Sequence, residues 1–574
     1  AMKNAAGTQT RVARAVNMLL AGDAPLPTVA GGTANWTPGV DLSTSLQPGT
    51  ATRTSYESKI NVALTASGQD PYGHGTHVAS VAAGRGSFRT PDSTGPASGA
   101  TVFDVKVLNG SGLGKLSDAL AGIDWVLYHA REYNIRVLNV SLAASSFESF
   151  LTDPLCRAVR AASAAGITVV VAAGNFGKSA AGTEVFGTIA SPGNDPTVIT
   201  VGSANARGTV ARADDVVNGF SSRGPTRGSF IDDTGVRRVD NLLKPDLVAP
   251  GNKVTGAAAT LASGALDALA TNNPTLVADF GNKQTANQAL KYLSGTSIAA
   301  PVVSGAVALL LQANPGLTPP LVKAILQYTA QPLAGASLVE QGAGMLNVEG
   351  AVRLAKALRT DIASRVQAGT IAAGNPINLT ALPTPTSTIG SQTFNWSRIV
   401  FVGGRHIATG DSLFTQFQPV YDPRVNWVGS TARRISFGYW PGTTVPQSFN
   451  ETAAVSGGLL TAGVRLGTAL AGTSSMLGKT GLFLPTATMS NWLISGSGTA
   501  LAGGVVLSNG LVLSEGLVLS EGLVLSEGVV LSEGIVLSEG LVLSEGQVAG
   551  EGLVLSELTG GRTRAFRNLT SAGE

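Results

Sequence analysis

Short apolar runs alternate with amphipathic stretches between Val102 and Pro250, and this alternation constrains the chain more than any other feature. The runs "ATVFDVKVL", "IRVLNVSL", "ITVVVAAG" and "PTVITVGS" are rich in β-branched residues, and the helical patterns "LSDALAGIDWVLYHAREY" and "LCRAVRAASAAG" lie among them. Apolar strands separated by helices are typical of a parallel sheet covered on both faces. We therefore predict an α/β fold with a doubly wound parallel sheet, which binds ligands at the carboxyl ends of its strands.

The composition changes twice after this region, which predicts further domains. A long helix is expected to begin at Ser297, and the first domain, residues 1–358, closes near Leu358. Residues 359–486 carry short alternating runs rich in Thr, Ser, Gly and aromatic residues, which predict an all-β accessory region.

Residues 487–558 are a six-residue repeat, with Leu-Val-Leu-Ser-Glu-Gly as its typical unit, and residues 559–574 follow as a tail. Each unit supplies a short apolar strand and a turn in which glycine tolerates a positive φ. One unit cannot bury its apolar face but stacked units can, so we predict a hexapeptide-repeat β-solenoid with three hexads in each coil. A low-complexity, aggregation-prone tail is the alternative. The open end of a solenoid offers unpaired strand groups, which makes self-association through the repeat an expected interaction.

Charge and cysteine content narrow the range of functions. The 39 Lys+Arg and 36 Asp+Glu residues give a net charge of +3, and the absence of a basic block argues against a nucleic-acid partner. The single cysteine, Cys156, cannot form an intrachain disulfide and is expected to be a buried helix residue. We expect no membrane-spanning helix, because no run of about 18 uninterrupted apolar residues occurs. The first residues lack the apolar segment of a signal peptide, so we expect any targeting segment to have been removed or never present.

Three segments carry residues suited to catalysis. His74 in "DPYGHGTHVASVAAG" lies in a glycine-rich turn before a helical pattern that begins near Thr76. Ser297 in "YLSGTSIAAPVVSG" opens a helix, where backbone N–H groups and the helix dipole favour an anion. Asn175 ends the buried strand pattern "VVVAAGNFG" and can donate a hydrogen bond into the same crevice. Taken singly, a loop histidine and a turn asparagine are equally good explanations, and helix capping is the commoner role of a serine at a helix start.

Together, "HGTHVA", "AAGN" and "GTSIAAP" closely resemble the subtilase family of serine endopeptidases (peptidase family S8), and "DVKVLNGSGLG", "VLNVSLA", "FSSRGP" and "KPDLVAPG" add to the resemblance. It implies a subtilisin-like fold, with Ser297 as nucleophile, His74 as base, and Asn175 with the Ser297 N–H as oxyanion hole. It also implies substrate-binding segments, expected to be extended at 111–113 and 141–143: Ser111, Gly112, Ser141, Leu142, Ala143 and Gly174. No metal ligand set or other cofactor is predicted, although structural calcium is common in the family.

The triad aspartate of the family is not found where it is expected. It usually ends an apolar strand some 30 to 40 residues before the histidine, but residues 31–49 read "GGTANWTPGVDLSTSLQPG". Asp41 could be a displaced orienting carboxylate, the strand could be missing or lie on a separate segment, or the protein could be a degraded or repurposed protease. Asp70 and Asp104 resemble family aspartates outside the triad. We therefore predict a secreted endopeptidase of bacterial type acting on polypeptides. The alternative is a weak or inactive subtilase scaffold with an assembly role through its tail.

Overall fold

The computed structural model describes residues 2–3, 8–23, 48–64, 69–86, 92–231, 235, 237–277, 288–371, 374–402 and 406–417. It also describes the backbone of strands within 431–454 and 511–555. Asp41 and most of the hexapeptide repeat lie outside the described residues.

The elements up to residue 272 are β1 Val12–Asn17, α1 Ala51–Ile60, α2 His74–Ala83, β2 Val102–Lys106, α3 Leu116–His129, β3 Val137–Val140, α4 Pro154–Ala164, β4 Thr168–Ala172, β5 Ile199–Asn205, β6 Val216–Val217, β7 Ser229–Ile231, β8 Arg237–Val239, β9 Leu247–Pro250, β10 Val254–Ala257 and α5 Ala268–Asn272. The remainder up to residue 454 are β11 Leu290–Leu293, α6 Thr296–Ala313, α7 Pro319–Thr329, α8 Leu338–Gln341, α9 Val348–Ala357, α10 Ile362–Gln367, β12 Thr386–Ile389, β13 Gln392–Asn395, β14 Ile399–Val402, β15 His406–Thr409, α11 Ser412–Thr415, β16 Thr431–Gly438 and β17 Gln447–Ala454.

The chain divides into two compact units, residues 1–136 with 253–294 and residues 137–252 with 295–574. The second unit contains a sheet in which β3, β4, β5 and β9 run parallel and β6 pairs antiparallel with β5. All five residues of β4 are buried, so both faces of this strand are covered. The α/β fold with a parallel sheet is confirmed.

Helix α6 forms the centre of the second unit's core. Its residues Val303, Val307 and Leu310 pack with strand residues such as Val170 and Val201, all of them fully buried. Within the described part of the chain, α6 is the one helix long and apolar enough to cross a membrane by length and composition, and 67% of that stretch is buried inside the structure. Its apolar character is accounted for by this packing.

The hydrophobic core of the second unit continues past the predicted boundary at Leu358. Trp396, Val400 and Phe414 belong to the same buried cluster as α6. The strands beyond this point form the hairpin β12–β13 and the antiparallel sheet β14–β15–β16–β17. The position of the domain boundary stays a prediction.

Short strands of the repeat pair in parallel: β18 Leu511–Glu515, β19 Val518–Leu519, β20 Val529–Glu533, β21 Val536–Leu537, β22 Gln547–Gly550 and β23 Val554–Leu555. Leu511 is opposite Val529, and Val529 is opposite Gln547. Each strand therefore pairs with the strand three hexads further along the chain.

The first unit contains the parallel pair β1–β2 and the antiparallel pair β10–β11. Helix α2 contacts both β2 and β10. The carboxyl end of β2 reaches the segment before α2, because the Lys106 ammonium group donates to the backbone carbonyl of Gln69 at 2.7 Å.

Candidate active site

The proposed nucleophile lies at the start of α6 in the second unit. Ser297 is the second residue of this 18-residue helix, as the sequence predicts, and Gly295 precedes the helix in an extended conformation, with φ 160° and ψ 161°. The N–H groups of the first turn have no acceptor within a helix, and they point out at its positive end. Ser297 is therefore on a segment suited to stabilising a negative charge.

The side-chain amide of Asn175 is fixed in one orientation beside this turn. Its carbonyl oxygen accepts hydrogen bonds from the backbone N–H of Thr296 at 2.9 Å and from the Thr296 hydroxyl at 3.1 Å. The Thr296 hydroxyl in turn accepts from the N–H of Gly174 at 3.1 Å. Since Thr296 occupies the oxygen of the amide, the Asn175 Nδ2 group is directed elsewhere as a donor.

Gly295 shows where that donor lies. A Cβ atom on residue 295 would be 3.0 Å from the Oγ atom of Ser297 and 3.5 Å from the Nδ2 atom of Asn175. Both atoms therefore border one small space at the helix start. A hydroxyl oxygen and an amide donor beside one space are the two groups that attack on a carbonyl carbon and stabilisation of its oxyanion require.

The segment after β3 also contacts the nucleophile. The Ser141 hydroxyl donates to the backbone carbonyl of Ser297 at 2.7 Å. Leu142 is half-buried and Ala143 is exposed. Gly174 has φ 105°, a conformation that favours glycine, and a Cβ there would come within 2.8 Å of the Ser222 hydroxyl. The predicted residues Ser141, Gly174, Asn175 and Ser297 thus come together in the second unit.

Thr296 was missed by sequence reasoning. Its hydroxyl links Gly174 to Asn175, and a hydroxyl residue directly before a nucleophile at a helix start was the available signal.

His74 is the first residue of α2 in the first unit, two residues earlier than the sequence pattern predicts. Gly73 caps the helix with φ 90°, a left-handed conformation. The carboxylate of Asp70 accepts hydrogen bonds from the N–H groups of Gly73 and Thr76, each at 2.7 Å. Asp70 therefore starts the helix before the apolar pattern begins and fixes the backbone on both sides of His74.

The surroundings of His74 favour the neutral imidazole. Burial lowers the pKa of His74 most, the Asp70 carboxylate raises it, and the Lys291 ammonium group lowers it. A neutral imidazole is the form that can accept a proton from a nucleophile.

A buried ion pair supports the turn before His74. Lys291 donates to Asp267 at 2.7 Å, and both side chains are fully buried. The Asp267 carboxylate packs directly on Gly73, where a Cβ atom would collide with it. Any side chain at residue 73 would therefore displace this ion pair.

The structure corrects one expectation for the substrate-binding segments. Ser111 and Gly112 are in a turn, not an extended segment, and Gly112 has φ 74°. The reason is Asn109, whose side-chain oxygen accepts from the N–H groups of Ser111 and Leu113 at 2.9 and 3.1 Å. An Asx turn of this kind bends the backbone locally. Their role in binding stays a prediction.

Asp41 lies outside the described residues, and its role as the orienting carboxylate stays a prediction. A strand does precede His74 in the chain, earlier than residues 31–49. It is β1, which pairs in parallel with β2 and ends at Asn17, opposite Lys106. The Asn17 side chain accepts from the N–H of Leu19 at 3.2 Å. At this strand end the chain carries an amide and not a carboxylate.

Two other predictions concern reactive or metal-binding groups. Cys156 is fully buried on α4, as predicted, and burial raises the pKa of its thiol, which opposes a nucleophilic role. No group of three or more His, Cys, Asp or Glu side chains suited to a metal ion occurs in the described ranges. Calcium binding stays a prediction.

A serine at a helix start with a fixed carboxamide donor, on a parallel α/β sheet, is the arrangement used by serine hydrolases that attack carbonyl groups. The Subtilase family model (Peptidase_S8) matches residues 38–350, and the chain belongs to this family.

Individual proteins similar to this chain support its place in the subtilase family. The chain is 35% identical over 289 residues to serine protease AprX of Bacillus subtilis, covering 49% of this chain and 58% of that protein. It is 33% identical over 266 residues to an extracellular serine proteinase of a Thermus species, covering 46% and 48%. It is 31% identical over 284 residues to subtilisin DY of Bacillus licheniformis, covering 50% and 79%. The chain therefore spans about half the length of the first two relatives.

A crystal structure of a cold-adapted subtilisin-like serine proteinase matches 50% of this chain and 76% of its own at 27% identity, with a TM-score of 0.31. This score is too low to support an argument on overall shape.

Proposed function

We propose that this chain is a serine endopeptidase that cleaves peptide bonds through an acyl-enzyme. The observation that carries the proposal is the orientation of Asn175, whose oxygen is bound by Thr296 so that its Nδ2 group borders the same space as the Ser297 hydroxyl. Membership in the subtilase family supports the same role for these residues.

In the proposed reaction, the Ser297 oxygen attacks the carbonyl carbon of the scissile peptide, and His74 accepts the hydroxyl proton. The negative charge on the carbonyl oxygen is stabilised by Asn175 Nδ2 and the Ser297 N–H. When the C–N bond breaks, His74 returns the proton to the leaving amine, and water then hydrolyses the acyl-enzyme with His74 again acting as base.

The third member of the triad sets the expected rate. An orienting carboxylate stabilises the imidazolium ion, and its loss in subtilisin, a member of this family, lowers kcat about 3 × 10⁴-fold. The strand β1 ends in Asn17, whose amide cannot act as the orienting carboxylate. We therefore assign the orienting role to Asp41 and test it with Asp41→Asn. Turnover about 10⁴-fold lower is expected if Asp41 orients His74. Unchanged turnover would show that the chain works without it, as a slow peptidase.

Ser297 is tested directly with a fluorophosphonate probe, which reacts with activated serines. We expect one probe per folded molecule on the tryptic peptide containing Ser297, no labelling of Ser297→Ala, and much slower labelling of His74→Ala. Folded wild-type protein that does not react would overturn the proposal.

The substrate is proposed to be a polypeptide held along the segments containing Ser111, Gly112, Ser141, Leu142 and Ala143, with Gly174 beside the cleaved residue. Secretion is proposed because one relative is named an extracellular proteinase. Structural calcium is proposed on family grounds alone and is tested by the change in Tm when EDTA is added.

A second candidate function is assembly through the repeat, favoured by one observation. Strands three hexads apart pair in parallel, Leu511 with Val529 and Val518 with Val536. This register supports a β-solenoid with an 18-residue coil, whose end strand offers unpaired backbone groups. Sedimentation velocity over a range of concentrations tests it with the full chain and a chain lacking residues 487–574. If both chains have the same oligomeric state at all concentrations, assembly through the tail is excluded.

A further inference from the structure

Pro301 leaves a gap in the hydrogen bonding of α6 at the proposed nucleophile. In an α-helix the N–H of residue 301 would donate to the carbonyl of residue 297. Proline has no N–H, and its ring crowds that carbonyl. The Ser297 carbonyl accepts from the Ser141 hydroxyl at 2.7 Å, so a donor from outside the helix takes the place of the missing one.

The direction of that bond depends on Asn139, in the strand β3. The Asn139 Nδ2 group donates to the Ser141 oxygen at 2.9 Å. A hydroxyl group has one proton and two acceptor positions. With Asn139 donating to the oxygen, the single proton of Ser141 is available for the Ser297 carbonyl.

The orientation of Asn139 is fixed from α6 itself. The Ser304 hydroxyl, which belongs to a residue only 5% exposed, donates to the side-chain oxygen of Asn139 at 2.8 Å, a shorter contact than its 3.2 Å to the backbone carbonyl of Ala300. Ser304 is two helical turns after Ser297 and lies on the same side of the helix. Ser304, Asn139 and Ser141 therefore connect two points of α6 through the end of β3.

We infer that Asn139 is a positioning residue for Ser297, acting through Ser141 and held in its orientation by Ser304. This inference rests on the proposed role of Ser297 as nucleophile. The polar Asn in the apolar run "VLNV", and a serine seven residues after Ser297, were the signals in the sequence.

Asn139→Asp is the sharpest test, because it keeps the shape of the side chain and reverses the direction of its hydrogen bond with the Ser141 hydroxyl. A carboxylate accepts from both Ser304 and Ser141, so the Ser141 proton turns away from the Ser297 carbonyl. Ser304→Ala is the milder variant, since it only releases the orientation of Asn139. Asn218→Asp is the matched control: Asn218, which is a buried residue, also donates to a serine hydroxyl, that of Ser203, at 2.7 Å.

Two measurements are made on the full chain. Hydrogen exchange by mass spectrometry follows a peptide covering residues 295–301, and fluorophosphonate labelling gives the inactivation rate constant and the probe's binding constant separately. For Asn139→Asp we expect faster exchange in this peptide and an inactivation rate constant roughly 10- to 100-fold lower, with binding unchanged. Ser304→Ala should show the same changes at smaller size, and Asn218→Asp neither.

The outcomes separate the two proposals. Exchange and labelling equal to those of Asn218→Asp would overturn the positioning role, and so would faster exchange with an unchanged inactivation rate. If the wild-type protein does not label, the proposed function fails. In that case the exchange experiment still tests the hydrogen-bond network. If residues 295–301 exchange no faster in Asn139→Asp than in Asn218→Asp, the network is overturned. Faster exchange in Asn139→Asp supports the role of Asn139 in holding the start of α6.

Discussion

Replacing Asn175 with aspartate distinguishes the effect of this side chain on catalysis from its effect on stability, because only the Nδ2 atom is exchanged for an oxygen. The carboxylate keeps an oxygen for the N–H and hydroxyl of Thr296, which Asn175 binds at 2.9 and 3.1 Å. It replaces the Nδ2 donor with a second oxygen, beside the Ser297 hydroxyl. The bond that holds the helix start is retained, and the bond that would stabilise an oxyanion is lost.

The expected loss of activity follows from two terms. Removing an oxyanion donor costs about 10²–10³ in kcat, or about 2.7–4 kcal/mol, a value known from subtilisin itself. Repulsion between a carboxylate and an oxyanion about 4 Å apart adds about 1 kcal/mol in water and about 4 kcal/mol at an effective dielectric constant near 20. Because Asn175 is exposed, the smaller figure is appropriate. Together they predict a roughly 500- to 5,000-fold fall in labelling rate or turnover.

The stability of Asn175→Asp, unlike its activity, is expected to stay the same or to increase. A negative charge at the first turn of α6 interacts favourably with the helix dipole by about 0.3–1 kcal/mol. Asn175→Asp should therefore keep or raise Tm. Asn175→Ala, by contrast, removes the acceptor and should lower the free energy of unfolding by about 1 kcal/mol, as the loss of a helix cap does.

The assay compares the wild type with both variants in fluorophosphonate labelling and thermal unfolding at the same pH. Asn175→Asp labelled as fast as the wild type would refute the assignment of Nδ2 as the oxyanion donor. A lower Tm in Asn175→Asp than in Asn175→Ala would refute the described orientation of the amide.

Three further changes test the surroundings of the site. Gly295→Ala places a methyl group 3.0 Å from the Ser297 side-chain oxygen. Turnover should therefore fall roughly 10²-fold or more while Tm changes little. Full activity would contradict the proposal that the substrate carbonyl reacts in that space. His74 must be neutral to act as base, and its pKa is lowered mainly by burial and raised by Asp70. The acid limb of kcat/KM should therefore lie below pH 6.5 and move lower in Asp70→Asn, and an upward move would be inconsistent with the charge effect. Burial raises the pKa of Asp104 to about 6, so its ionisation destabilises the fold as pH rises from about 4 to 6. Asp104→Asn should add up to about 3 kcal/mol to the free energy of unfolding at pH 8 and much less at pH 4, and equal effects at both values would argue against it.

The position of the proposed nucleophile was predictable because it depends on local pattern. Ser297 comes directly before the long apolar stretch that forms α6, and that stretch fixes the helix wherever it packs. The parallel strands β3, β4 and β5 were predictable for the same reason, since each lies in a mostly apolar run, and in β4 all five residues are buried.

His74 was predicted to lie in a turn before a helix, but it is the first residue of that helix, whose start was predicted two residues late. The apolar pattern begins near Thr76, whereas the capping bonds from Asp70 start the helix at His74. A helix end is set by individual hydrogen bonds, which hydrophobic periodicity does not describe. The turn at Ser111 and Gly112 differed from prediction for a similar reason, because one side chain, Asn109, bends it.

The sequence by itself determined the α/β sheet, the family and the segments that carry His74, Asn175 and Ser297. Tertiary structure decided how those side chains are held. The amide of Asn175 is oriented by Thr296, 121 residues away, and the Ser297 carbonyl is bound by Ser141 at a separation of 156 residues. Periodicity and helix-start signals act over one or two turns of chain, so they survive in the sequence. The direction in which a hydroxyl or an amide donates is fixed only when distant segments pack together and each buried proton must find an acceptor.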